Sequence, residues 1–554
     1  SDDLFEAQRM GMLFHRIRAT EDLSQLANLF LEMETTGQGY EEFLAETERI
    51  KTITKEEVVA VANKYFGNDY LDVRSKMGST PKDKVEKPHW KPLEAKNTNM
   101  KSDFAKMIEA EDVPEVTPQV IHFGSDVKIT DISDGFKLYS AINTANDIFK
   151  LEFYFNYGEL DDPDLQYAVT YLSLQGTEDK TFQEFALELQ KMGAVIDCHS
   201  DDNAFIVSIT GFEKDQERLL ELCHEKLYNP ANDESQIKVM TENAMSGLKM
   251  TKEDASTWAR AVRQYALYGE QSEYLNHSSI KEWSKFSGAD FLAKIAEALK
   301  YDGYVTYTGN QYPEVMVQSI KSHHILPLKP LKGEEKVRVE QRYTEPQVLF
   351  APNKKFRQSN IWFYVPGEKL SLDDEALCGL FNKYFGTDMY SIVFQEIREF
   401  RSLGYTAYAS YVFDDLQRKP GHLFGFLGTQ GDKSIDGIEA FSGLIKDMPE
   451  REEKFNASKE ALLKSRASQY YTFRSKPGMV QYWMKKGYDH DPRAEVSERI
   501  RKAEFQDVVG FYDRMIKGRP VVIMMSGSPK SVNTKELGKY GTVTKLKYKQ
   551  IIKE

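Results

Sequence analysis

Asp290-Phe-Leu-Ala-Lys-Ile-Ala-Glu-Ala-Leu299, Tyr301-Asp-Gly303 and Tyr304-Val-Thr-Tyr-Thr-Gly309 read in succession as a helix-period run, a short break and a strand ending in glycine. The same three-part pattern occurs twice more. It runs from Glu57 to Phe66 and on through Tyr70 and Val73 to Gly78, and from Asp507 to Ile516 and on through Pro520 to Gly527. Val58, Phe291 and Val508 hold equivalent places, a period of about 220 residues, so these are the ends of three large units.

The beginnings repeat only twice. Phe149-Lys-Leu-Glu-Phe-Tyr-Phe-Asn-Tyr157 alternates apolar and polar positions as a half-buried strand does, and Ile361-Trp-Phe-Tyr-Val365 opens the other unit. An acidic turn follows each, at Asp161–Asp164 and Asp373–Glu375. A helix then closes at Gly176-Thr177 in one copy and at Gly386-Thr387 in the other. Phe182-Gln-Glu184 matches Phe394-Gln-Glu396, and the helices they begin stop at Gly193 and Gly404. Thr181 and Glu184 have capping-box spacing, and Phe182, Phe185, Ala186 and Leu189 make one apolar stripe. Both stop glycines fit positions that need a positive φ. Each unit therefore reads as α+β, antiparallel strands with helices packed to one side. Polar, Pro- and Lys-rich stretches separate the units, one with Pro81, Pro88, Pro92 and Pro114, the other with Pro313, Pro327, Pro330, Pro346 and Pro352. The first unit lacks the front that the other two possess, so the sequence is expected to be the back part of a longer protein.

Composition narrows the function. The 554 residues carry a net charge of −13, a field that repels nucleic-acid phosphates and anionic leaflets. No window approaches the run of apolar residues a transmembrane helix needs. Three cysteines, Cys198, Cys223 and Cys378, cannot make a disulfide framework. The ten histidines include no HExxH, no HxxEH and no i, i+4 pair. His224-Glu225 lacks a second histidine, His323 and His324 are adjacent and point apart, and His199 lies on an expected strand. No GxSxG or P-loop occurs. The residues alone show no autonomous catalytic centre.

At the paired helices the sequence resembles the pitrilysin/insulysin family of zinc metallopeptidases, inverzincins that carry HxxEH. The resemblance implies four homologous α+β domains of the LuxS/MPP-like metallopeptidase fold, in two halves that close around a peptide. On that pattern residues 1–78 are the C-terminal remnant of a second domain and 79–117 the hinge. Residues 118–311 are the third domain, 312–344 a linker and 345–554 the fourth domain. The family's HxxEH falls five residues before a Gly-Thr. Here that stretch is Tyr167-Ala-Val-Thr170-Tyr171-Leu-Ser-Leu-Gln-Gly176-Thr177, with tyrosine at both histidine positions and threonine at the glutamate. Glu242 alone matches the third-ligand region, and a lone carboxylate does not hold zinc. The third domain is thus expected to be degenerate and to bind no metal, with zinc belonging to a first domain outside this sequence.

A second family motif survives, an Arg and a Tyr seven residues apart with the Tyr after Leu-Gly, here Arg398-Glu-Phe-Arg-Ser-Leu-Gly404-Tyr405. With helix to about Leu403, the two lie within about two turns, roughly 10 Å. An Arg offers rigid donors to substrate carbonyls and a Tyr hydroxyl can donate to a developing oxyanion. The resemblance gives Arg398 and Tyr405 the role of positioning substrate from the half that carries no metal, with Arg401 the nearest competitor. The implied partners are the N-terminal half of the same protein and peptide substrates, held largely through their backbone at a sheet edge. Two other readings remain: a non-catalytic scaffold homologue, or one subunit of a two-chain peptidase. Relatives of this size are often exported to the bacterial periplasm.

Overall fold

Phe149, Leu151, Phe153 and Phe155 are fully buried, while Lys150, Glu152 and Tyr154 between them turn to the opposite side, so one strand presents one face to a core. The computed structural model describes residues 1–78, 101–112, 116–414 and 416–554. That strand, β3, lies in a six-stranded sheet ordered β1-β2-β6-β3-β5-β4, made of β1 Lys128–Ser133, β2 Phe136–Ile142, β3 Ile148–Phe155, β4 Val195–Ser200, β5 Phe205–Phe212 and β6 Gly303–Gly309. A second six-stranded sheet is ordered β12-β7-β11-β8-β10-β9, from β7 Gln347–Pro352, β8 Gln358–Pro366, β9 Thr406–Val412, β10 His422–Gln430, β11 Val522–Gly527 and β12 Thr542–Lys545.

Five strands recur in the same spatial order, and the protein is α+β with two related sheet-and-helix modules. The sheets are mixed rather than wholly antiparallel. β6 enters between β2 and β3, parallel to the first and antiparallel to the second, and β11 does the same between β7 and β8. The sixth strand differs: β1 joins antiparallel to β2, whereas the C-terminal β12 joins parallel to β7.

Four helices begin the chain: α1 Asp2–Ala19, α2 Leu23–Thr36, α3 Tyr40–Thr52 and α4 Lys55–Tyr65. Phe14 of α1 packs on Ile148 and Phe212 of the first sheet. Tyr70 to Val73, expected as a strand, is irregular, and no described strand flanks it to pair its backbone. Of the expected hinge, 79–100 and 113–115, with Pro81, Pro88, Pro92 and Pro114, lie outside the described residues; α5, Asp103–Ala110, is a helix within it.

On one face of the first sheet pack α6 Leu165–Ser173, α7 Phe182–Lys191 and α8 Gln216–Tyr228. With them are α9 Ser235–Thr251, α11 Ile280–Trp283, α12 Gly288–Ala298 and α13 Pro313–Ser322. The stretch 312–344, read as linker, thus opens with α13, whose Met316, Val317 and Ile320 are buried in that core. The second sheet is covered in the same way by α14 Glu375–Phe385, α15 Ile392–Phe394, α16 Ser434–Lys446, α17 Glu452–Ala467 and α20 Phe505–Met515. α19 Arg493–Lys502 lies outside α14 and α17, and α21 Tyr548–Ile551 ends the chain.

The modules exchange helices. α10, Ala255–Tyr268, follows the first module's α9 yet lies on the outer face of the second sheet, where Trp258 and Val262 meet Trp362, Tyr364 and Met524. α18, Lys476–Lys485, follows the second module's α17 yet lies on the outer face of the first, where Val480 and Trp483 meet Tyr139 and Ala141. Among the described residues no helix is long and apolar enough to cross a membrane.

Candidate functional site

Tyr167 and Tyr171 sit four apart on α6 and so share one helix face. Tyr171 is fully buried, stacked on Phe291 with centroids 5.1 Å apart, and donates a hydrogen bond to Asn232 Oδ1 at 2.8 Å. Gly288 makes this possible. A Cβ there would lie 1.8 Å from that Oδ1 and 2.3 Å from the tyrosine oxygen. Tyr167 stacks on Trp283 at 5.2 Å, and its hydroxyl is 2.8 Å from Nδ1 of His277. Burial, aided by nearby Glu234 and Asp233, pushes the Tyr171 hydroxyl up to about 12, and burial raises that of Tyr167 as well. Both phenols therefore stay protonated.

The other two positions lie elsewhere. Thr170 is exposed and donates to the carbonyl of Gln166 at 2.9 Å. Glu242 is exposed on α9, 4.0 Å from Lys238. Two neutral phenols in an aromatic core, with a threonine and a carboxylate in solvent, do not fit a zinc ion. Among the described residues no group of three or more His, Cys, Asp or Glu side chains is placed to hold a metal.

Arg398 and Tyr405, by contrast, touch. The Arg398 guanidinium carbon is 4.7 Å from the Tyr405 ring centroid and 4.8 Å from that of Phe394, so the cation lies between two aromatic faces. Tyr405 is 81% exposed. The Arg398 side chain is about a third exposed, with Glu399 3.5 Å away. Arg401 turns toward Glu396 at 3.8 Å, and Glu396, largely buried, also pairs with Arg451.

Local backbone builds this pair in a way the sequence did not reveal. α15 is followed by a π-helical turn, Gln395–Glu399, in which Phe400 N–H donates to Gln395 C=O at 2.9 Å. Such wider turns concentrate at functional sites. The helix does not end on a left-handed glycine as expected at Gly404. The left-handed residue is Ser402, φ 49°, whereas Gly193 in the first module does have φ 61°. Gly404 serves close approach instead: a Cβ there would lie 2.5 Å from the Gly428 carbonyl oxygen. Phe394, four residues before Arg398, belongs to the same cluster, and that i, i+4 spacing is its only signal in the sequence.

The two edge strands differ. β9 begins just after Tyr405, and its outer side is closed: Ala409 N–H donates to Gly386 C=O at 3.1 Å, and Asn382 bonds both the N–H and the C=O of Tyr411. Across the outer edge of β4 the backbone makes no hydrogen bond among the described residues, and Ser200 at its end donates from its side chain to Glu159 at 2.7 Å. Backbone pairing of the expected kind has room along β4 and, beside Arg398, only at the first residues of β9.

Residues 306–462, from β6 through β10 to α17, match the family described as the peptidase M16 inactive domain. No curated protein matches the chain in sequence. Among solved structures it is similar to the peptidase M16 inactive domain from Pseudomonas fluorescens (16% identity, 74% of this chain and 100% of that one, TM-score 0.59). It is similar too to a conserved protein from Enterococcus faecalis V583 (15%, 74% and 100%, 0.58) and to a protease from Helicobacter pylori (12%, 74% and 100%, 0.55). At these identities the likeness is one of fold.

Proposed function

We propose that this chain, a pitrilysin-like protein carrying the peptidase M16 inactive domain, forms the wall of a peptide-hydrolysis chamber that bears no metal, and that Arg398 and Tyr405 position the peptide. The observation that carries the reading is the stacked Phe394–Arg398–Tyr405 arrangement, with both polar ends open to solvent at the head of β9. A guanidinium held between rings loses little rotamer freedom when it donates to a peptide carbonyl, and an exposed phenol beside it supplies a second donor. The reading assigns zinc to the N-terminal half of the same protein, outside this chain. Peptide hydrolysis by the protein joined to its HxxEH-bearing half tests it. Arg398→Ala and Tyr405→Phe are each expected to lower kcat/KM by about 10²-fold. Wild-type values in both variants contradict the assignment.

The aromatic packing of Tyr167 and Tyr171 favours a second reading for the first module alone. It acts as a scaffold whose metal position has become core.

A further inference from the structure

The two outer sheet faces are covered unequally. α10 lies across β7, β11 and β8 and closes the second sheet with Trp258, Trp362 and Met524, whereas α18 packs on β2 and β6 of the first. The rest of the first sheet's outer face opens into a cleft of about 1280 Å³. Such a volume takes several residues of an extended chain rather than one small molecule.

Tyrosines line it. Tyr154 and Tyr304 stack 4.3 Å apart, and Tyr139 meets Tyr304 edge-on at 6.1 Å. Tyr139 is only 7% exposed, yet it lines the cleft and its hydroxyl makes no hydrogen bond to a described residue. Burial raises its pKa, so it waits as a neutral donor and acceptor. The hydroxyl oxygen is open to the cleft, where a ligand would give it a partner.

The rim is acidic, with six carboxylates against Lys137 and Lys485. Some are engaged: Asp202 pairs with Arg338, and Glu335 with Arg418 and Lys485. Asp134 and Glu334 are exposed and form no ion pair among the described residues. Aromatic faces under free carboxylates are what an arginine or lysine side chain requires, and the same field repels nucleic acid.

We propose that this cleft binds a basic segment of a peptide, its Arg or Lys side chains lying on the Tyr154 and Tyr304 rings below Asp134 and Glu334. The proposal rests on the reading of the chain as a peptide-handling protein, but shares no residue with Arg398 and Tyr405, so the two can fail separately.

Fluorescence anisotropy of the chain with a fluorescein-labelled octapeptide of alternating Arg and Ala, against its Glu counterpart, tests it. The Arg peptide is expected to bind, the Glu peptide not, and affinity to fall as salt screens the rim. Asp134→Asn with Glu334→Gln should weaken binding about tenfold at low salt, two lost attractions of ordinary size. Asn suits the turn before Gly135, and both sites are exposed, so folding is preserved. Glu452→Gln with Glu453→Gln, the same charge loss on remote α17, should leave the Kd unchanged. Equal binding of the two peptides overturns the proposal. So does a rim variant that binds like wild type, or a remote pair that weakens binding as much as the rim pair does. Loss only in Arg398→Ala also overturns it and locates the peptide at the other site.

Discussion

Gly193 and Gly404 occupy the same place in the two sequence copies and do different things. At Gly193 the backbone itself requires the left-handed conformation, φ 61°, whereas at Gly404 the requirement is empty space beside the Gly428 carbonyl. The left-handed turn of the second copy has moved to Ser402, where a Cβ is strained. Ser402→Gly is therefore expected to raise stability by about 0.5–1 kcal/mol, read as a later denaturant midpoint at unchanged slope. Gly288→Ala should do the reverse. Its methyl would collide with Asn232 and the Tyr171 hydroxyl, both inside the packed core, at a cost of about 1–3 kcal/mol. An unchanged midpoint in that variant would show that the Tyr171–Asn232 packing is not fixed.

Among the elements, those with local chemistry were legible in the sequence. The Thr181 side chain and Glu184 form the expected capping box at the start of α7, with mutual hydrogen bonds of 3.2 and 2.9 Å. The alternation from Phe149 to Phe155 is β3. What alternation cannot encode is strand direction. A strand parallel to one neighbour and antiparallel to the other shows the same period, so the insertion of β6 and β11 had no signature. The helix exchange was equally hidden, because the apolar residues of α10 and α18 do not say which sheet they cover. At the candidate site Arg398 and Tyr405 were expected only within roughly 10 Å of each other, and neither their contact at 4.7 Å nor the π turn before it was foreseen. The turn arises from one extra residue in a helical turn, and no residue type marks that. Phe394→Ala removes one of the two rings that hold Arg398. The Arg398 Nε–Hε resonance is expected to lose its ring-current shift and narrow, with the Arg401 signal unmoved. Retention of the wild-type shift would mean that Tyr405 alone orders the guanidinium.

For the whole molecule, the contacts joining modules carry buried charge. Arg474, just before α18, pairs with Glu21 after α1 and donates to the carbonyl of Ile148 at 2.9 Å. Asp491 accepts from the N–H of Ile121 and from Arg493, whose guanidinium also reaches the Gln119 carbonyl. Burial acts to raise both carboxyl pKa values, but the hydrogen bonds from Arg474 and Asn146 to Glu21, and from Arg493 and Ile121 to Asp491, outweigh it and leave both below the usual range. A depressed folded-state pKa means that this stabilisation is complete above the unfolded carboxylate value. It is lost as pH falls through the folded one, so the junction is expected to loosen below about pH 4. Thermal melts should show an early transition there that is absent at neutral pH. Asp491→Ala, which strands Arg493, should bring that transition to neutral pH at a cost of about 3–5 kcal/mol.

The division of labour proposed for the molecule is most directly tested by elemental analysis of the purified chain, run beside a peptide-hydrolysis assay of the same sample. The expected result is no stoichiometric zinc and no cleavage by this chain alone, with cleavage appearing when the HxxEH-bearing half is supplied. One equivalent of zinc on this chain, or hydrolysis without that half, would contradict the account.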